Sequence, residues 1–486
     1  MGNFKKILIK THKISGLLMS LMFCVWVFSG IILIFEGFPH ASREQRFQHL
    51  IPFERTDLSG LKAPMSKWGD AVELEMAGDQ PVYRVPKGRR GELVYDARTL
   101  EPVDSFSCEY AARLSTSYTG SSVVEIHLQD ELDQWVPWSY YKPLLPFYKC
   151  KMDDEAHSTI YISAKTGSVI QHTTRKGKWL AALGVIPHKL YFLELLQNRS
   201  VWKGILIFLA SVGLLSAISG IVAGLIRFSK ACRNGRMSPY RKLHYKWHHI
   251  SGFVTGIFVF TFLLSGLISV TGVPDWMVVI EAAKKERINW EIKDASEPNY
   301  SKTPLEIWEA LDDTIEVRRI KYSNVLGESQ FGIYSNHYQK AEVFVKDKVA
   351  IHKKKPLSME EVKSLSSGIF EGKSYEITKQ TEYDSYYFPS GMRYQPLPVY
   401  KIIFNDASNT WLYIDAATGE NFRKITLKYR LRRWLYRGLH TFNFPFLLKL
   451  EWLRKSLLLI VSAGLLIVAV TGLVLMWNWC KRKYIN

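Results

Sequence analysis

The stretch Lys242–Val270, KLHYKWHHISGFVTGIFVFTFLLSGLISV, decides the fold. Its apolar run is long enough for the ~30 Å hydrocarbon core of a bilayer, which takes about 20 helical residues. Three histidines, His244, His248 and His249, stand at its start. A second copy opens the chain: His12-Lys13-Ile14-Ser15-Gly16 matches His248-His249-Ile250-Ser251-Gly252, and Ser29-Gly30 matches Ser265-Gly266 at the same spacing. Two copies with one internal spacing mark a duplicated unit.

A chain of 486 residues allows about three domains. It is 47% hydrophobic with a mean hydropathy of −0.06, so the apolar residues are concentrated in segments between polar domains. Four stretches have membrane length, about 14–36, 201–226, 249–273 and 456–479. The first reads as a span rather than a signal peptide, because it is too long and Glu36-Gly37-Phe38-Pro39 ends it without a small-residue cleavage site.

Positive charge sets the expected orientation. Lys5, Lys6, Lys10 and Lys13 lie before the first span, and Lys481, Arg482 and Lys483 after the last. The connection 227–246 carries Arg227, Lys230, Arg233, Arg236, Arg241, Lys242 and Lys246 without an acid. By the positive-inside rule both termini and this loop are cytoplasmic, and the long segments 37–200 and 274–455 lie outside. Fourteen cations placed where topology needs them account for most of the +19 net charge and argue against a nucleic-acid partner. Cys108 and Cys150 fall in the first external segment, where pairing is permitted but not implied by spacing.

The external segments read as small α+β modules. Val82–Pro86, Glu92–Asp96 and Thr159–Ser163 have strand character, and Ser107–Ser115 has helical character. Trp179–Arg199 is apolar but interrupted by Pro187, Glu194 and Arg199, so it is expected to lie along the outer interface. Trp411–Gly419 echoes the strand and Thr-Gly turn that end at Gly167. Gly167 to His188, His188 to Lys203 and His188 to Gly220 repeat as Gly419 to His440, His440 to Lys455 and His440 to Gly472, all at an offset of 252. The expected fold class is therefore membrane α-helical, a four-helix transmembrane bundle from two tandem repeats with two external α+β domains. Its divisions are 1–36, cytoplasmic N-terminus and helix; 37–178, external domain; 179–226, interfacial histidine segment and helix; 227–242, basic loop; 243–273, helix; 274–430, external domain; and 431–486, histidine segment, helix and tail.

Eighteen residues make five turns of α-helix, so His12 and Gly30 share one face, as do His248 and Gly266. A histidine above glycines leaves room for a flat ligand or for a neighbouring helix. The four matched histidines form two levels, His12 with His248 at the cytoplasmic edge and His188 with His440 at the outer one. Two b-type haems, each with two axial imidazoles, would use all four. Taken singly, an interfacial histidine is a headgroup-level polar residue, and a Ser-Gly pair is a packing feature; the case rests on the matched set. His249 stands opposite Lys13 and has no counterpart; propionate hydrogen bonding, replacement of His248 as ligand and contact with water all remain open for it. His244 reads as loop or headgroup-facing. Arg423, Lys424, Lys428, Arg430, Arg432, Arg433 and Arg437 cluster before His440 against the charge trend, as a lipid-facing basic helix or as partners for propionates or an anionic substrate. No P-loop, dinucleotide fingerprint, H-E-x-x-H or nucleophile elbow is present, so hydrolysis and direct nicotinamide or flavin chemistry lack a motif.

At WHHISGFVTGIFVFTFLLSGLISVTGVP, its counterpart THKISGLLMSLMFCVWVFSGIILIFEGFP, the segment YRGLHTFNFPF and the turn I-D-A-A-T-G, the chain resembles the PepSY-associated transmembrane family of iron-regulated inner-membrane proteins, which includes siderophore-iron reductases. The resemblance implies a multi-pass protein of the bacterial inner membrane with periplasmic PepSY-like domains and two haem b groups. His12, His188, His248 and His440 are its implied iron ligands. It further implies outward electron transfer to a ferric siderophore or other iron chelate. This chain has Lys13 opposite His249 and no fused flavodoxin-like reductase, so the donor would be a quinol or a separate reductase. The alternative is a non-enzymatic envelope protein whose PepSY-like domains bind or inhibit a periplasmic protease or assist an envelope complex. A permease would call for charges inside the spans, and none of the four carries a clear one between its interfacial ends.

Overall fold

The computed structural model describes residues 2–88, 91–278, 288–292, 298, 300–311, 315–346, 350–389 and 394–484. The chain divides into two compact units, one of residues 1–38, 176–279 and 428–486, the other of residues 39–175 and 280–427.

The first unit is built on four helices long and apolar enough to cross a membrane: α1 (Gly2–Leu33), α2 (Arg199–Cys232), α3 (Leu243–Thr271) and α4 (Glu451–Tyr484). Their 29 to 34 residues give lengths of about 44 to 51 Å, beyond the ~30 Å of a hydrocarbon core, so their ends reach the headgroup layers. They pack in a ring, α1 on α2, α2 on α3, α3 on α4 and α4 on α1. Leu18, Leu21, Phe208, Val254 and Ile460 on the outside are 60–69% exposed, a surface suited to lipid and not to water. Lipid tails give no hydrophobic drive between helices, so close packing at small residues holds the ring. A Cβ on Gly213 would lie 3.1 Å from Leu263, and one on Gly464 2.4 Å from Thr255. Intramembrane hydroxyls are satisfied along their own helices: Ser29 donates to Val25 O at 2.6 Å, Ser251 to Trp247 O at 2.6 Å and Thr471 to Ile467 O at 2.6 Å.

The segment expected along the interface is a bent pair of short helices, Arg175–Leu183 and Val185–Lys189, with Leu193–Gln197 following; the axis turns by 40°. The bend is at Gly184, where a Cβ would meet Ile32 of α1 and Leu180 O at 2.8 Å. The matched segment before α4 turns differently, through a π-helical stretch, Arg433–Gly438, into Leu439–Thr441. Such π turns are rare and concentrate at functional sites.

In the second unit, each external segment supplies a four-stranded antiparallel sheet covered by one helix. The first has β4 (Val123–Gln129), β5 (Phe147–Met152), β6 (Thr159–Ser163) and β7 (Val169–Thr173), covered by Cys108–Thr119. The second has β12 (Tyr375–Gln380), β13 (Val399–Phe404), β14 (Trp411–Asp415) and β15 (Asn421–Ile425), covered by Met359–Ile369. Buried polar contacts match between them. Asp133 accepts from Lys149 at 2.7 Å and Tyr161 at 2.8 Å, and Asp384 from Lys401 at 3.2 Å and Tyr413 at 2.7 Å. Cys150 lies in the first of these cores; it and Cys108 are free thiols, and burial pushes the Cys150 thiol up to about 11, leaving it inert to disulfide exchange near neutrality.

The strands preceding these sheets correct the expectation of two separate external domains. The first segment's β1 (Val72–Ala77), β2 (Gln80–Lys87) and β3 (Gly91–Asp96) join the second segment's β8 (Arg319–Val325), β9 (Glu328–Tyr334), β10 (Ala341–Lys346) and β11 (Ile351–Lys353) in one seven-stranded sheet. Its order is β11-β10-β9-β8-β1-β2-β3, joined by antiparallel pairing of β1 and β8 from Val72↔Tyr322 to Glu75↔Arg319. Each meander alone would leave an apolar strand with an open edge, and pairing covers both. The core beneath is common to both segments, with Leu58, Leu74 and Tyr83 packed among Ile307, Ile320, Tyr322 and Phe331.

The junction carries a buried ion cluster. Glu75 on β1 takes Arg84 of β2 and, at 2.9 Å, Arg319 of β8. Arg84 also donates to Thr166 O at 2.6 Å. Burial raises the Glu75 pKa, but the two guanidinium groups more than offset this and hold it below the usual 4.5. Such a depressed carboxyl contributes stability that is present above its unfolded pKa and lost as pH falls through its folded value. Replacing Glu75 by Ala removes the anion that the two cations share, leaving Arg84 only its 3.2 Å contact with Glu92 and Arg319 its 3.2 Å contact with Glu73, and should cost about 3 kcal/mol. Thermal unfolding should show a lower transition for Glu75→Ala. In Glu75→Gln the part of the acid destabilisation that sets in below about pH 4.5 should be missing.

Candidate functional site

The ring of helices encloses a cavity of about 1710 Å³ lined by His12, His188, His248, His249 and His440. It exceeds the 300–1,000 Å³ typical of a site for one small ligand. Four of these histidines form two pairs across the ring. His12 on α1 and His248 on α3 have ring centroids 6.2 Å apart, and His188 and His440 are likewise 6.2 Å apart.

Each imidazole is held through Nδ1. At the second level, His188 Nδ1 lies 3.1 Å from Trp26 O and 3.1 Å from Ser29 Oγ; His440 Nδ1 lies 3.2 Å from Phe262 O and 2.9 Å from Ser265 Oγ. Both serines direct their own protons to backbone carbonyls, Val25 O and Phe262 O. At the first level, His12 Nδ1 lies 3.0 Å from Ser216 O, and His248 Nδ1 3.1 Å from Thr471 Oγ1, whose proton goes to Ile467 O. Carbonyls and committed hydroxyls only accept, so Nδ1 is the protonated nitrogen in all four rings and Nε2 carries the lone pair. Histidines that ligate metals are held in this way, with the second nitrogen donating to a carbonyl or hydroxyl that fixes the ring.

The glycines lie where the spacing put them. A Cβ on Gly30 would be 3.4 Å from His188, one on Gly266 3.9 Å from His440, one on Gly472 3.5 Å from His248, and one on Gly220 only 2.6 Å from His12. The faces at Gly224 and Gly252 are open, with nothing within 4 Å of such an atom. A Cβ at Gly220 would crowd the His12 imidazole, those at Gly30, Gly266 and Gly472 would only touch their rings, and Gly224 and Gly252 leave space within the cavity.

Basic side chains line both ends: Lys189, Arg199, Lys203, Arg432 and Arg454 toward the second level, and Lys10, Lys13, Arg227 and Arg482 toward the first. No aspartate or glutamate is among the described lining residues. Of the basic cluster singled out in the sequence, only Arg432 lines the cavity, where it donates to Ser269 O. Arg423 and Lys424 are in β15, Lys428 pairs with Asp275 at 2.6 Å, and Arg433 donates to Asn443 Oδ1 at 3.2 Å. Lys203 carried a signal, its shared spacing with Lys455 from the histidines, but Lys455 pairs with Glu451 at 2.9 Å. Arg199 and Arg454 gave none. His249 faces away from the pairs, with Nε2 3.2 Å from Gly224 O and its ring edge-on to Tyr240. The His244 ring lies tilted against Tyr245, with centroids 4.9 Å apart.

Among the described residues no group of three or more His, Cys, Asp or Glu has the arrangement of a metal site. Two ligands do not complete the tetrahedral shell a structural zinc takes. Two do suit a metal whose remaining positions are filled by a planar macrocycle, as in haem. A metal bound by two imidazole nitrogens at about 2.0 Å puts ring centroids about 6.2 Å apart, when about 1.1 Å from nitrogen to ring centre is added on each side. Both pairs have that separation. The open face at Gly252 accepts a flat ring, and the basic ends suit carboxylate tails. The residues fit haem at both levels.

The family model described as PepSY-associated TM region matches residues 9–482, and the chain belongs to that family. No curated protein matches the chain significantly.

Proposed function

Starting from a membrane protein of the PepSY-associated TM family, we propose that this chain, built as two tandem units, is a di-haem b electron-transfer protein of the bacterial inner membrane. Electrons from a quinol or a separate reductase would pass outward to a ferric siderophore or similar iron chelate in the periplasm, where reduction weakens the hold of hard oxygen ligands on iron. The observation that carries the reading is the pair of 6.2 Å imidazole separations, one at each level of the bundle.

When bound, haem supplies a one-electron carrier at each level. The chain's own residues do the rest. His12 with His248, and His188 with His440, would offer their free Nε2 lone pairs as iron ligands. Ser29, Ser265, Thr471 and the backbone carbonyls of Trp26, Phe262 and Ser216 keep the rings from turning. Apolar side chains such as Leu206, Leu263 and Leu465 line the cavity, and the basic ends would offset carboxylate charge that is costly in lipid. Cytoplasmic termini and periplasmic external segments follow from the distribution of basic residues. An envelope protein acting only through its external sheets has no use for matched imidazole pairs.

Pyridine haemochrome assay of protein purified from haem-replete cells tests this. Two haem b per chain are expected. His440→Ala and Gly220→Ala should each lower the ratio to about one, the second because its Cβ displaces His12. A ratio near zero in the unaltered protein contradicts the reading.

A further inference from the structure

The contacts on the two sides of the ring match closely except at one place near the first level. His249 occupies the position of Lys13, Gly224 that of Met476, and Arg227 that of Trp479. On the α1–α4 side, which also lines the cavity, the place matching Gly224 is filled by a side chain: Met476 Sδ accepts from Ser20 Oγ at 3.0 Å, and Lys13 Nζ sits over the Trp479 ring at 5.4 Å. On the α2–α3 side it is open. Gly224 has nothing within 4 Å of where a Cβ would be, and Arg227, Tyr240, Tyr245 and His249 line the cavity around it.

His249 is only 8% exposed. Its Nε2 is 3.2 Å from Gly224 O, and because a carbonyl only accepts, Nε2 is the donor. Nδ1 is then a lone-pair acceptor, and it is buried without a hydrogen-bond partner. An unmet buried polar atom costs about 1–3 kcal/mol, so it calls for a ligand that donates. A haem propionate, with acceptors only, does not meet this need. A hydroxyl does. The ring of Tyr240 stands edge-on to His249 at 5.7 Å, with the Arg227 guanidinium 5.3 Å from the Tyr240 centroid, giving an aromatic wall for a flat headgroup. Leu225, Phe253 and Ile257 line the cavity beside it and are 40–54% exposed, apolar surroundings for a lipid-soluble molecule.

We propose that this pocket between α2 and α3 binds the headgroup of a lipid-soluble hydroquinone, one per chain, with a ring hydroxyl donating to His249 Nδ1. This rests on the electron-transfer reading for its purpose, but binding itself requires no haem. The test is fluorescence-quench titration of the purified full-length protein in nanodiscs with the quinol analogue heptyl-hydroxyquinoline N-oxide. Saturable binding at one site per chain is expected. Gly224→Met, which copies the α1–α4 side, should abolish it, and His249→Phe should weaken it about tenfold, the equivalent of one hydrogen bond. Thermal unfolding of each variant serves as the folding control. Haem-loaded protein that does not bind the analogue, or a folded Gly224→Met that binds it as well as the unaltered protein does, overturns the site and leaves the di-haem reading standing. Binding that is lost in Gly224→Met, in protein that carries no haem, supports the site and overturns the di-haem reading instead.

Discussion

The hydrogen bond from an imidazole Nδ1–H to a helix carbonyl or a committed hydroxyl is the contact on which the arrangement of the membrane unit depends. It consumes one nitrogen of each ring, fixes the tautomer, and leaves the other nitrogen directed by backbone geometry. An imidazole in the interior of a bundle needs such a partner, because lipid and apolar side chains offer none. The carbonyls used are those of α1, α2 and α3, so helix position sets ring position. Glycine at 30, 220, 266 and 472 lets the rings approach the helices. The fit is tightest at Gly220, where a Cβ would force the His12 ring to move.

The second unit obeys a different constraint. Its two segments are separated in sequence by membrane helices, yet β1 and β8 join them in one sheet with a buried Glu75 between Arg84 and Arg319. Buried ion clusters of this kind add little net stability over an apolar core, but removing one member is costly. The cluster therefore acts on register: Glu75 faces Arg319 directly across the β1–β8 pairing, and a slip of one residue would turn it to the opposite face.

Much of this was legible in the residues. The four long helices came from apolar runs, and the strands over Val82–Pro86, Glu92–Asp96, Thr159–Ser163 and Trp411–Asp415 from short-range alternation, because both signals are local. The shared sheet was not legible, since pairing between strands some 247 residues apart leaves no local trace. The four histidines stood out because their spacing repeats. Which of them face each other did not, because that depends on how the helices pack into a ring. Their carbonyl partners at Trp26, Phe262 and Ser216 are backbone atoms and leave no mark in residue type. Arg199 entered only as a break in an apolar segment and Arg454 not at all, and the fold brings both to the cavity.

The central claim is that each imidazole pair holds one iron between two nitrogens. Low-temperature electron paramagnetic resonance of the oxidised, purified protein addresses it directly. The account predicts low-spin ferric signals of bis-imidazole type from two distinct centres, distinct because the ring planes cross at 39° at one level and 77° at the other. High-spin ferric signals alone, or no haem signal at all, would contradict it.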